Sequence, residues 1–280
     1  MSEISTRDGS SPEESNKEKV RIFEEKKHKF FVKLGLSVRE ALKMHKESEL
    51  WDWDEKRNRS WKNVSKHCLV ETARALIFAD KLGFSKERKR DLMIAAALHD
   101  FFKRKEIDII EEKNMTWNSI LEAEEKASET LDEALEKKNF NKDVIEIIVS
   151  KSFDPSVKKQ ILEKENLSQE DITCLVLMYI DSYTDGDEWV KPSEIGEDGE
   201  AVNALDRREQ GSQERYGLLS EDSKKYFNGE SIFSIHRRTG HQIEKILVDI
   251  LQQRGNGNIA PEDLPYFIDQ EIKAEIESQT

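Results

Sequence analysis

The chain has 280 residues, with 45 Lys and Arg against 58 Asp and Glu for a net charge of −13. Acidity spread along the whole sequence repels nucleic-acid backbone and anionic bilayers, so neither a long nucleic acid nor a membrane is expected as a partner, while a small anion can still be bound locally. Two cysteines, Cys68 and Cys174, stand in apolar runs without CxxC spacing and read as reduced core thiols. No stretch approaches the ~18 apolar residues of a membrane span, and the start of the sequence lacks the apolar core of a secretory signal, so the expected address is cytoplasmic.

In chain order, residues 1–17 are rich in Ser, Glu and Gly and read as a disordered tail. Helical periodicity begins at Glu18 and runs to about Leu34 through Val20, Phe23, Phe30 and Phe31, and His28 falls in a charge run on its solvated face. A second helix is expected after Ser37, read as its N-cap, with Val38, Ala41, Leu42 and His45 at helical spacing. Residues 50–61 hold three tryptophans with Arg57 and Arg59. They read as an anchored loop, or as an arm that brings a guanidinium over a phosphate.

From Val64 to Leu82 apolar positions recur at steps of three and four, ending at Gly83, and His67 borders that stripe. A histidine there is more often a satisfied core residue than a ligand. Ser85 caps the next helix, whose Ala-rich run delivers His99 and Asp100 before Phe101 and Phe102. A carboxylate at the edge of such a core is costly without a cationic partner, and a metal ion is the simplest one. Further helices are expected over residues 119–138 and 142–150, then after Asp154-Pro155. After Ser168 comes a helix that is apolar nearly all round and ends in Asp181, which poses the same problem as Asp100.

His67, then His99-Asp100 after an Ala-rich helix, then Asp181 closing a late apolar helix, resembles the H…HD…D signature of the HD superfamily of metal-dependent phosphohydrolases. The resemblance covers roughly residues 61–185. It implies an all-α helical bundle, with His67, His99, Asp100 and Asp181 as ligands of one divalent transition metal: Mn, Fe, Co, Ni or Zn, with Mg possible. It further implies a metal-activated water as nucleophile, Asp100 sharing in its proton handling, and Lys103, the lysine of HDxxK, steadying phosphate. Binuclear relatives add histidines later, but the corresponding stretches here, Asn118 to Glu124 and Val149 to Ser152, have none, which favours one metal. Lys103-Arg104 replaces the acidic pair of alarmone hydrolases, and Lys103 stands where nucleotidase members carry glutamate, so the general acid is unassigned.

Beyond Asp181 the chain turns polar. Asp185, Asp187 and Asp198-Gly199 lack the spacing of a calcium loop. Residues 203–216 carry Arg207, Arg208 and Arg215 and suggest a second anion-binding wall, with Arg207 as its candidate. Residues 231–254 form an amphipathic helix that Gly240 is expected to break or kink, with His236 and His241 read as surface histidines, and Pro261 opens a last short helix. The expected organisation is N-terminal helices over 18–60, the metal-binding core over 61–185 and a helical extension over 186–280 packed on that core. The expected activity is hydrolysis of a small phosphorylated substrate, a nucleotide or related phosphomonoester or phosphodiester, with substrate contacts from Lys103, Arg57, Arg59 and Arg207. The competing expectation is a non-catalytic nucleotide-sensing or partner-binding module.

Overall fold

About half of the helix starts among the described residues are set by side-chain caps. In the computed structural model, which describes residues 12–279 apart from 197, 198 and 200 and side chains from residue 19 onward, Ser85 accepts the Arg88 N–H at the head of α4 (Lys86–Leu98). Capping boxes open α6 (Trp117–Lys137) at Thr116, α9 (Gln169–Tyr183) at Ser168 and α10 (Ala204–Arg215) at Asn203. Asn141 caps α7 (Lys142–Ser150), and Asp154 caps α8 (Pro155–Leu162), with proline in its first turn. The remaining helices are α1 (Pro12–Lys33), α2 (Leu36–Glu47), α3 (Lys62–Lys81), α5 (Lys103–Glu112), α11 (Gly217–Ser223), α12 (Ile232–Gln253) and α13 (Leu264–Glu277), the last preceded by a 3₁₀ turn at Pro261–Asp263. The fold is all-α. The strands among the described residues are two-residue pairs in two antiparallel hairpins, β1 (Trp53–Asp54) with β2 (Arg59–Ser60) and β3 (Glu194–Ile195) with β4 (Ala201–Val202). No helix among the described residues is long and apolar enough to cross a membrane.

α9 is the axis of the molecule. Leu175 to Ile180 are all buried, and the helix packs on α3, α4, α7, α10 and α12. Small buried residues, Ala75 and Ala79 on α3 and Ala95 to Ala97 on α4, line the densest helix pair. One apolar cluster runs from Phe30 in α1 to Ile276 in α13, so the C-terminal helices share the core of the central bundle. A fully buried Arg74 on α3 ties them together. Its Nε and Nη2 each donate to Asp269 of α13 at 2.8 Å, and its Nη1 donates to Thr184 at 2.6 Å just past the end of α9.

Several boundaries depart from the sequence reading. α1 begins at Pro12, inside the span expected to be a tail, and residues 1–11 lie outside the described ones. Ser37 does not cap α2: Gly35 takes that position at φ +102°, and Ser37 sits in the first turn. α5, α10 and α11 were not anticipated: α10 carries too few apolar residues to show a stripe, α11 is only seven residues long, and α5 is a short segment whose three isoleucines stand among seven charged residues. Gly240 does not break α12, which runs straight through it. A Cβ there would lie 2.8 Å from Leu205 Cδ2, so glycine permits the close approach of α10.

Candidate metal centre

His67 lies on the inner face of α3, and one turn later Glu71 occupies the same face, since residues four apart on a helix stack one above the other. The end of α4 supplies His99 as its C-cap residue, followed by Asp100, and the last turn of α9 supplies Asp181. One ligand atom each from His67, Glu71, His99 and Asp181 lies within 4.8 Å of all the others. His67 Nε2 is 3.0 Å from Glu71 Oε1 and 3.7 Å from Asp181 Oδ1. His99 Nε2 is 3.2 Å from Glu71 Oε2 and 3.7 Å from both Asp181 Oδ1 and Asp100 Oδ2. Asp100 thus reaches the same centre through Oδ2, 4.0 Å from His67 Nε2.

The donor set fits a metal ion. His99 Nδ1 donates to the Ala96 carbonyl at 2.8 Å, which fixes the tautomer and leaves Nε2 with its lone pair facing the cluster. His99 Nε2 has no hydrogen-bond partner, and the two oxygens of the fully buried Glu71 have only the ring nitrogens of His67 and His99 beside them, at 3.0 and 3.2 Å. Polar atoms gathered at one buried point with so few partners call for a cation, which a proton on His67 or a metal ion supplies. Two imidazoles with carboxylates make a mixed N/O site of borderline hardness, suited to a divalent ion.

A ring of cations stands outside the carboxylates. Lys151, just beyond α7, has its Nζ 2.9 Å from Asp100 Oδ1 and 3.6 Å from Asp181 Oδ2, the oxygens turned away from the imidazoles. Lys103 Nζ is 3.5 Å from Asp100 Oδ1, and Arg208 Nη2 is 3.7 Å from Asp181. Burial alone would raise Asp100, but the Lys103 and Lys151 ammoniums hold it well below the usual carboxylate range. Burial likewise opposes ionisation of Asp181, and Lys151 with His67 outweighs it, holding that carboxyl low as well. His67 moves the other way: against the burial that would lower it, Glu71, Asp181 and Asp100 raise it to about 9.

The structure brings His67, His99, Asp100, Asp181 and Lys103 together. It does not bring the other candidate arginines there. Arg57 is committed to Asp54, Asp108 and Glu111, and Arg59 stacks 4.2 Å over the Trp61 ring, so both hold the β1–β2 loop to α5 and α3. Arg207 donates to the carbonyls of Val202 and Lys191, and the wall of α10 reaches the centre through Arg208 instead. His45 is a core residue, donating from Nε2 to the Ala97 carbonyl at 2.7 Å and accepting from Ser65 at Nδ1. His236 and His241 are not simple surface histidines: His236 is buried against Phe153, and His241 lies between Asp206 and Glu244 at 2.9 Å from each. The sequence reading missed Glu71, although its i+4 spacing from His67 was a signal, and Lys151, which carries none.

A cavity of about 430 Å³ opens beside the centre, with His99 and Lys151 in its wall. Its far wall is one face of α6. Glu124 there accepts from Ser152 Oγ at 2.8 Å and from the Phe153 N–H, and burial raises its carboxyl above the ordinary value.

Among comparisons with known proteins, residues 64–185 match the family model for the HD domain, a family whose members are generally metal-dependent phosphohydrolases. No curated protein and no solved structure matches the chain.

Proposed function

We propose that the protein, whose residues 64–185 match the HD-domain family model, is a metal-dependent phosphohydrolase acting on a small phosphate ester, a nucleotide or a related phosphomonoester or phosphodiester. The observation that carries this reading is the convergence of metal-ligating atoms from His67, Glu71, His99 and Asp181 within 4.8 Å of one another, ringed by Lys103, Lys151 and Arg208. A divalent ion held by His67, His99, Asp181 and Asp100, with Glu71 completing the set, would polarise a phosphoryl oxygen and acidify water.

The chain's own groups do the rest. Lys103, Lys151 and Arg208 bind the phosphoryl oxygens and offset the charge that grows on them, an effect that strengthens as water is excluded. Asp100, held ionised by two ammoniums, is suited to gripping a cation more than to removing a proton. Glu124 keeps its proton to higher pH than an ordinary glutamate and lines the cavity beside Lys151, so it donates to the leaving oxygen.

A second reading has an observation in its favour. Lys151, Lys103 and Arg208 together pair with Asp100 and Asp181, an arrangement that would also suit a non-catalytic module binding a small anion.

One experiment separates them. Wild type loaded in turn with Mn, Co, Ni, Mg and Zn is screened for phosphate release from nucleotides, cyclic nucleotides and general phosphatase substrates, beside Asp181→Ala. Release by wild type alone supports hydrolysis, equal release by both proteins marks contamination, and a silent panel with metal bound favours the binding module.

A further inference from the structure

The cavity beside the metal centre has a charge pattern opposite to the centre's rim. Its floor is apolar, with Leu98, Phe101 and Ile148 among its lining, and its volume of about 430 Å³ lies within the ~300 to 1,000 Å³ range of small-molecule sites. From α6 Glu124, Glu125, Glu129 and Asp132 line it, Glu125 and Glu129 as exposed residues, and Glu106 joins them from α5. Lys151, at the metal end, is the one cationic residue of this lining. Glu106 has Lys103 at 3.4 Å, and Glu124 is held by Ser152 and Phe153. Glu125, Glu129 and Asp132 form no ion pair among the described residues, and Asp132 Oδ1 is buried without any hydrogen-bond partner.

Resting on the phosphohydrolase reading, we propose that this cavity receives the organic half of the ester and selects substrates carrying a single phosphate, whose organic half is uncharged or cationic and bears N–H or O–H donors. The one phosphate sits among Lys103, Lys151 and Arg208. A second phosphate continuing into the cavity meets Glu125, Glu129 and Asp132, a repulsion whose range is about 8 Å at physiological ionic strength and shortens to about 3 Å at 1 M salt. An ammonium or a hydroxyl in the same place donates to the accessible carboxylate oxygens of this wall, while the carbon skeleton covers the apolar floor. Specificity here comes from repulsion of the wrong ligand as much as from attraction of the right one.

The test is equilibrium binding by calorimetry to the metal-loaded protein, with free metal buffered, of the four common nucleoside 5′-monophosphates, their 5′-diphosphates and phosphoethanolamine. At least one monoester is expected to bind tenfold or more tightly than its diphosphate counterpart, or, for phosphoethanolamine, than any diphosphate. Charge removal in Glu125→Gln/Glu129→Gln/Asp132→Asn should shrink that preference fivefold or more, and raising the salt should shrink it in wild type, which needs no variant to fold. A preference for diphosphates, absence of binding by every monoester, or a monoester preference unmoved by salt overturns the assignment. Because binding is read without turnover, selective monoester binding with no phosphate release refutes hydrolysis and leaves the pocket assignment standing. Release from diphosphates bound as tightly as monoesters does the reverse.

Discussion

Glu71→Gln separates the metal from its competitor, the proton on His67. In the metal-free protein His67 is raised to about 9, chiefly by Glu71 once burial has been overcome, so below that pH its Nε2 carries a proton that an incoming metal must displace. With one such proton, wild-type metal affinity falls about tenfold per pH unit below 9, which amounts to about 100-fold, or ~2.7 kcal/mol, by pH 7. Replacing Glu71 with glutamine removes a carboxylate 3.0 and 3.2 Å from the two imidazoles while keeping its shape. Above pH 9 only the lost ligand charge counts, and metal affinity should fall at least tenfold, roughly 1.4 kcal/mol, the lower bound for loss of a group that supports ligands. Near pH 7 the variant's His67 returns toward its ordinary value, the proton penalty largely vanishes, and the gap closes or reverses. The assay is Co²⁺ affinity against a competing chelator from pH 6.5 to 9.5, read from the visible absorption of the bound ion. Parallel pH curves for wild type and variant would refute the reasoning, as would equal affinity at pH 9.5.

Without metal the same histidine acts with the opposite sign: its raised value stabilises the fold fully below about 6.5 and is lost as pH rises through about 9, so denaturation midpoints of the stripped protein should fall across that interval. Lys151→Met should move two quantities in opposite directions, raising metal affinity because a cation 2.9 Å from Asp100 is gone, and lowering phosphate release about a hundredfold or more because an oxyanion partner is gone too; a fall in both would count against its assigned place. Glu124→Gln should slow alkyl phosphates far more than 4-nitrophenyl phosphate, whose leaving group needs no proton, and an equal loss on both would remove it as the acid. Asp269→Ala leaves Arg74 charged and buried beneath α13 and should cost about 3 to 5 kcal/mol in urea unfolding, whereas a cost below ~1 kcal/mol would mean that this pair does not tie the C-terminal helices to the central bundle.

What the sequence determined by itself was whatever depends on neighbours along the chain. Caps at Ser85, Asp154 and Ser168, with periodic apolar residues between them, mark helices because both effects act within a turn or two. His67, His99, Asp100 and Asp181 stood out because each interrupts or ends an apolar run, where a polar group needs a reason. Tertiary structure decided the rest, since a side chain's direction around its helix is fixed only when the helix is packed. Arg207 and Arg208 are adjacent in sequence, yet about 100° of helical rotation, at 3.6 residues per turn, sends one to backbone carbonyls and the other to Asp181. Lys151 reads as an ordinary lysine after a helix until α7 and α9 pack and bring Asp181 within 3.6 Å of its ammonium. α10 gave no apolar stripe because its inner face buries Asp206 and Glu209 beside Leu205: Arg237 and His241 of α12 pair with Asp206, whereas burial raises the Glu209 carboxyl to about 7 against the nearby Lys158 of α8 and Arg208.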